Sequence, residues 1–287
     1  MHTYLRIRDA RYFQITFQGI FLLYGIFYLH WNNDLIDFGV YVASCLITQG
    51  CWELVRNNFS FKSLPIIING TWKSALITAL GLCLLLRTTS WYFIVLAGFI
   101  AISGKYILTW KNRHLVNPSA LGIAATILLS HKAWISPGQW GNNIVLFFMV
   151  CSMGFIVVTK VQKADVSFTF LLTYGALLFW RQILYLGWPL DFFIQSVTTG
   201  SLLLFSFFMI SDPKTTPNHP YARILYAVLI AAVSFYLSAF KFVNAAPVWV
   251  LVFASPLVPL LNWSFEAEWF SWNNIHHHSL TTKIITS

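Results

Sequence analysis

Two short polar segments carry the residues whose types and spacing suit chemistry. The first holds Lys105 and then Asn117-Pro118-Ser119; the second, 95 positions after Asn117, holds Asp212-Pro213-Lys214-Thr215. In each, an Asx-Pro pair can act as the cap and first residue of a helix. The side-chain oxygen accepts from free N–H groups, and proline fills a position that needs no donor. A helix start presents unpaired N–H groups and partial positive charge, the chemistry that receives a phosphate or carboxylate. Either pair alone can also be a plain cap, whereas two on one face suit an anion. Lys105 lies about 21 Å into its apolar run when the run is counted from Trp91 as a helix. It either marks a site, as an ionisable group in an apolar slab does by default, or extends its head to the nearer headgroups.

Other polar groups carry weaker signals. Ser136-Pro137-Gly138-Gln139-Trp140-Gly141 has the composition of an interfacial turn, and Arg181 and Asp191 bracket Gly187-Trp188-Pro189 and can pair across it. Glu53 stands one turn before Arg56, so a local ion pair competes with an intramembrane cation site. His276, His277 and His278 read as a solvated tail more readily than as a metal site. The four cysteines, Cys45, Cys51, Cys83 and Cys151, form no C-x-x-C pair and fall in apolar runs, so no metal is expected.

The elements that must position these residues are membrane helices. The 287 residues are 57% hydrophobic and only 9% charged, where a water-soluble domain has about a quarter of its residues charged. Ten apolar segments are expected to be helical: Tyr12–Leu29, Leu35–Val55, Trp72–Leu86, Trp91–Trp110 and Ser119–Ala133, then Asn143–Thr159, Val166–Leu184, Phe192–Ile210, Ala222–Ala239 and Val248–Trp263. The third and fifth are short for a full crossing. Met1–Arg11 has no cleavage-site pattern, so the first segment is expected to be retained.

Charge sets the orientation. With ten crossings, one set of connections holds Arg6, Arg8, Arg11, Arg56, Lys62, Lys73, Lys105, Lys111, Arg113, Lys160, Lys163, Lys214, Arg223 and Lys283. The other holds only Arg87, Lys132, Arg181 and Lys241. Cytoplasmic loops retain Lys and Arg, so both ends are expected in the cytoplasm. The +9 formal charge then reads as topology and supports no nucleic-acid partner. The expected architecture is an all-α integral membrane protein, one polytopic domain over 1–287. It has two five-helix halves, 12–133 and 143–263, and a cytoplasmic tail, 264–287. No connection is long enough for a nucleotide-binding domain, since one βαβ unit takes about thirty residues.

At these residues the chain resembles a known family. Ser74-Ala75-Leu76-Ile77-Thr78-Ala79-Leu80-Gly81, then Gly104-Lys105, then Val116-Asn117-Pro118-Ser119-Ala120 are similar to the small-residue span, G-K and F-N-P-A elements of the D subunit of Rnf electron-transport complexes. The B subunit of the sodium-translocating NADH:quinone oxidoreductase carries the same elements. Phe208-Met209-Ile210-Ser211-Asp212-Pro213-Lys214-Thr215 resembles the D-P segment of this NqrB/RnfD family. The resemblance implies a flavin-binding subunit of a multisubunit redox complex in a bacterial inner (plasma) membrane, coupled to cation movement, with other membrane or soluble redox subunits as partners. Family members attach FMN to the threonine of an S-G-A-T motif. That motif is absent from this sequence, so FMN or riboflavin is expected without a covalent bond. The cofactor would be held by Lys105, Asn117, Pro118, Ser119, Asp212, Pro213, Lys214 and Thr215. Tyr106, Trp110 and Phe208 are the rings placed to stack on it. The alternative is a secondary transporter or channel for a small anionic or flavin-like solute, without redox chemistry.

Overall fold

Each apolar segment becomes helical because a backbone in hydrocarbon must satisfy its own N–H and C=O groups. The computed structural model describes residues 9–29, 31, 35–58, 64–111, 113–136, 144–265 and 267. In chain order the helices are α1 (Ala10–Phe27), α2 (Leu35–Arg56), α3 (Leu64–Leu85), α4 (Trp91–Ile107), α5 (Pro118–Ser130) and α6 (Ile144–Lys160). They continue as α7 (Ala164–Phe179), α8 (Leu190–Val197), α9 (Gly200–Leu204), α10 (Pro220–Lys241), α11 (Ala246–Ala254) and α12 (Leu257–Ser264). Two antiparallel strand pairs, β1 (Leu86–Thr88) with β4 (Ala133–Ile135) and β2 (Thr109–Trp110) with β3 (Arg113–His114), close opposite ends of the first five helices. Arg6, Arg8, Lys62, Lys283, the turn from Pro137 to Gly141 and the histidines His276–His278 lie outside the described residues.

Three expected spans differ from what forms. The third is a 22-residue helix from Leu64, because Pro65 sits in its first turn, where no donor is required. The eighth breaks between α8 and α9 with a 43° bend at Thr198-Thr199, and the tenth breaks between α11 and α12 with a 56° bend at Ser255-Pro256. Proline cannot continue the ladder at the second break. By length and composition, α2 and α10 can cross a bilayer, and each bent pair adds one more if it counts as a single span. Trp91–Ile107, Pro118–Ser130 and Phe147–Lys160 are shorter apolar helices.

Small residues let the helices approach. A methyl at Gly81 of α3 would lie 2.7 Å from Ser119 Oγ of α5, and one at Gly122 of α5 would lie 2.8 Å from the Ala97 carbonyl of α4. Among the first five helices α4 packs on α2 and α5; later in the chain α10 packs on α7 and α11. The seventh segment ends in a π-helical turn, Trp180–Tyr185, and α9 continues into a second, Phe205–Met209. Arg181 lies over the Phe240 ring at 4.2 Å, and the ion pair with Asp191 that the sequence allows does not form among the described residues.

Candidate functional site

The two Asx-Pro turns meet. Asn117 Oδ1 accepts from the Ala120 amide at 3.1 Å, so Asn117 caps α5 with Pro118 behind it, as the sequence predicts. Its Nδ2 reaches Asp212 Oδ2 and the Met209 carbonyl, each at 3.4 Å. Asp212-Pro213 does not start a helix. Asp212 Oδ1 instead accepts from the Lys214 amide at 3.0 Å, and the Thr215 amide donates to the Asp212 carbonyl at 3.1 Å, making an Asx turn. The helix begins later, at Pro220, where His219 Nδ1 accepts from the Tyr221 amide.

The Asp212 loop is pinned from every side. Thr216 Oγ1 donates to the Ile210 and Asp212 carbonyls at 2.9 and 2.6 Å, and the Asn262 side chain accepts from the Asn218 amide at 2.8 Å. Arg113 of β3 donates to Asn218 Oδ1 at 3.1 Å, and the ammonium of Lys163, 2% exposed, donates to the Pro217 carbonyl at 2.8 Å. Below the loop, the π turn loosens the helix at Phe205–Met209, and hydroxyls occupy its carbonyls: Ser167 bonds to Ser206 and Ser211 bonds to Phe207. Turns of this kind recur at functional sites.

The electrostatics favour an ionised Asp212. Its side chain is 20% exposed, and His114 Nε2 stands 3.5 Å from Oδ2. Burial tends to raise the carboxyl, but the His114 bond and charge, with the Lys214 amide, outweigh it and hold the group below the usual carboxylate range. Burial lowers the Lys214 ammonium, offset by Asp212 and reinforced by Arg11 and Arg113.

Two neighbouring spaces open at this junction. An inner cleft of about 80 Å³ is lined by Asn117, Pro118, Ser119, Asp212, Pro213 and Lys214 together with α1, α3, α6 and the π turn. It shares His114 and Lys214 with an outer groove of about 1010 Å³, walled by Trp110, Lys111 and Arg113 on one side and Pro256 to Trp263 on the other. Six of the eight expected binding residues therefore come together. Thr215 is buried away from both spaces, its hydroxyl without a hydrogen-bond partner among the described residues. Lys105 also lines neither space, because its ammonium turns back to Gln49 Oε1 of α2 at 2.9 Å.

Lys105 instead belongs to a polar network between α2 and α4. Gln49 Nε2 meets the Tyr106 hydroxyl and Glu53 Oε1, and Tyr106 donates to Glu53 Oε1 at 2.5 Å. Tyr106 stacks on Trp52 at 5.4 Å, so neither it nor Glu53 plays its expected part: Glu53 faces Tyr106 rather than Arg56. Of the three rings expected to stack on a cofactor, Phe208 lines the inner cleft and Trp110 the outer groove.

Sequence reasoning missed one wall. Arg11, Gln14 and Gln18 of α1 line the cleft opposite the Asx turns. Their spacing, i, i+3 and i+7, puts them on one helix face. Polar residues at that period inside an apolar span were the available signal.

The fold and the site define a class: a helical membrane protein with a basic, aromatic-walled site where the helix start at Asn117 meets the Asp212 loop. Residues 129–270 match the NQR2, RnfD, RnfE family, which supports membership of that family. The family is one of membrane subunits of Rnf- and Nqr-type electron-transport complexes. The match covers α6 through α12 and the Asp212 loop; Asn117 lies before it. No curated protein matches the sequence.

Proposed function

We propose that this chain is a membrane-embedded electron-transport subunit that holds a flavin, FMN or riboflavin, without a covalent bond at the junction of its two halves. The observation that carries the reading is the Asn117–Asp212 contact, which brings the helix start at Asn117, the Asx turn at Asp212 and the charges of Arg11, Arg113 and Lys214 to one place. Ligand sites occupy about 300–1,000 Å³, so a tricyclic ring fits the outer groove, where Trp110 and Trp263 are 54% and 84% exposed. When bound, a flavin supplies reversible electron transfer. The chain's own residues bind and orient it: the Trp110 and Trp263 faces confine the ring, and Arg113 and Lys214 set a positive field beside it.

The same reading includes ten crossings in two five-helix halves, with both ends and the site on the cytoplasmic side. It is supported by the repeated packing of α4 on α2 and α10 on α7 and by the gathering of Arg11, Lys73, Lys163, Lys214 and Arg223 at one end of the bundle. No connection between these helices is long enough for a nucleotide-binding domain, so partner subunits deliver the electrons, and coupling to cation movement belongs to the assembled complex. The broken pairs α8–α9 and α11–α12 favour a second reading, a secondary transporter for an anionic or flavin-like solute. Purified protein is expected to show visible flavin absorbance, or to gain it on adding FMN or riboflavin. No absorbance in either case overturns the flavin reading, and donor-independent uptake into proteoliposomes replaces it with transport.

A further inference from the structure

The inner cleft and the outer groove differ too much in size to hold the same part of one ligand. The groove takes a ring, whereas the cleft, at about 80 Å³, is a slot that follows α3 from Ser74 to Leu85, about 16 Å of helix. Its lining includes Gln14 and Gln18 of α1 together with the hydroxyl residues Ser74, Thr78 and Ser119. Gln18 is 3% exposed, and its Oε1 has no hydrogen-bond partner among the described residues. Ser119 and Thr78 do not answer it, since Ser119 donates to the Thr78 carbonyl at 3.2 Å and Thr78 donates to the Ser74 carbonyl at 3.0 Å.

A buried acceptor left unmet costs about 1–3 kcal/mol. The group that meets it must bring a donor and be slender enough for the slot. A quinone head brings acceptors only, and a tricyclic ring is too wide. A polyhydroxylated chain satisfies both demands: each O–H donates, and its oxygens accept from the amide nitrogens of Gln14 and Gln18.

We infer that the slot binds the polyol tail of the ligand and that Gln18 is a specificity residue reading one of its hydroxyls, with the ring left in the outer groove. The inference rests on the flavin reading of the site and adds to it which part of the flavin enters the cleft. It requires that the bare ring binds poorly.

The test titrates detergent-solubilised protein with riboflavin and with lumiflavin, which has the same ring and a methyl in place of the tail, following flavin fluorescence. Riboflavin is expected to bind at least about tenfold more tightly, and Gln18→Met to weaken riboflavin by about three- to tenfold, one hydrogen bond's worth, while leaving lumiflavin unchanged. Gln18→Met is also expected to keep or raise the melting temperature without ligand, because an unmet buried amide gives way to an apolar side chain of similar volume. Equal binding of the two flavins, or equal loss of both in Gln18→Met, overturns the slot assignment and leaves the flavin site standing. Absence of binding by either flavin to the wild-type chain overturns both.

Discussion

The Lys163 ammonium donates to the Pro217 carbonyl at 2.8 Å and ties the turn between α6 and α7 to the Asp212 loop, 54 residues along the chain. Burial, with Arg223 nearby and Asp165 only partly offsetting it, pushes Lys163 down to about 7. Between about pH 7 and the usual lysine range near 10, the folded chain has released this proton and the unfolded chain still holds it, so stability rises with pH there. Below about pH 7 both states are protonated and this contribution is flat. Melting temperatures in detergent are expected to climb by a few degrees from neutral to alkaline pH and to lose that slope in Lys163→Met. An unchanged slope in the variant assigns the titration to another group.

Lys105 separates a structural role from a binding one. Its bond to Gln49 joins a network whose carboxylate, Glu53, depends on Tyr106 and Gln49 for donors. Lys105→Met and Tyr106→Phe are each expected to lower stability by about 1–3 kcal/mol. Flavin affinity should stay within about twofold, since effects at sites without shared partners do not couple. Thermal melts paired with flavin titration check this. Loss of flavin at unchanged stability would return Lys105 to the site.

These outcomes follow how far each feature was legible in the sequence. Apolar runs gave α2 almost to the residue, Leu35–Arg56 against an expected Leu35–Val55, because burial and helix formation share one signal. The Asn117-Pro118 cap was legible because capping is local. Asp212-Pro213 carried the same local signal and formed a turn instead: Pro217 and Pro220 follow, and a residue before proline is pushed out of the helical region. Thr216 and His219 hold those positions, so the helix cannot start before Pro220. Lys105 was placed correctly along its helix, but periodicity alone does not say which neighbour a long side chain chooses. Gln49, a helix away, decided that. The α1 wall was written as Arg11, Gln14 and Gln18 and became a site only when α1 packed beside α3 and α6.

Asn117 does two jobs that substitutions can part. Asn117→Ala removes the cap on Ala120 and the reach to Asp212, and is expected to cost about 1 kcal/mol for the cap together with most of the flavin affinity. Asn117→Ser keeps a capping oxygen on a side chain too short to reach Asp212. It is expected to restore stability and leave affinity low, as read by melts and titration side by side. Recovery of both by serine would show that the Asn117–Asp212 contact plays no part in binding.

Gly81 sets the width of the cleft. A methyl there would sit 2.7 Å from Ser119 Oγ and 3.2 Å from Ser119 Cβ, so Gly81→Ala must rotate Ser119 off the Thr78 carbonyl or part α3 from α5. Overpacking of this kind costs about 1–3 kcal/mol. Because both residues line the cleft, flavin affinity is expected to fall with stability. The control is the double variant Gly81→Ala with Ser119→Ala, which removes the clashing oxygen and is expected to recover more than half of the loss. If the two single costs simply add, the clash is not between these side chains, and α3 and α5 are held apart by something other than Ser119.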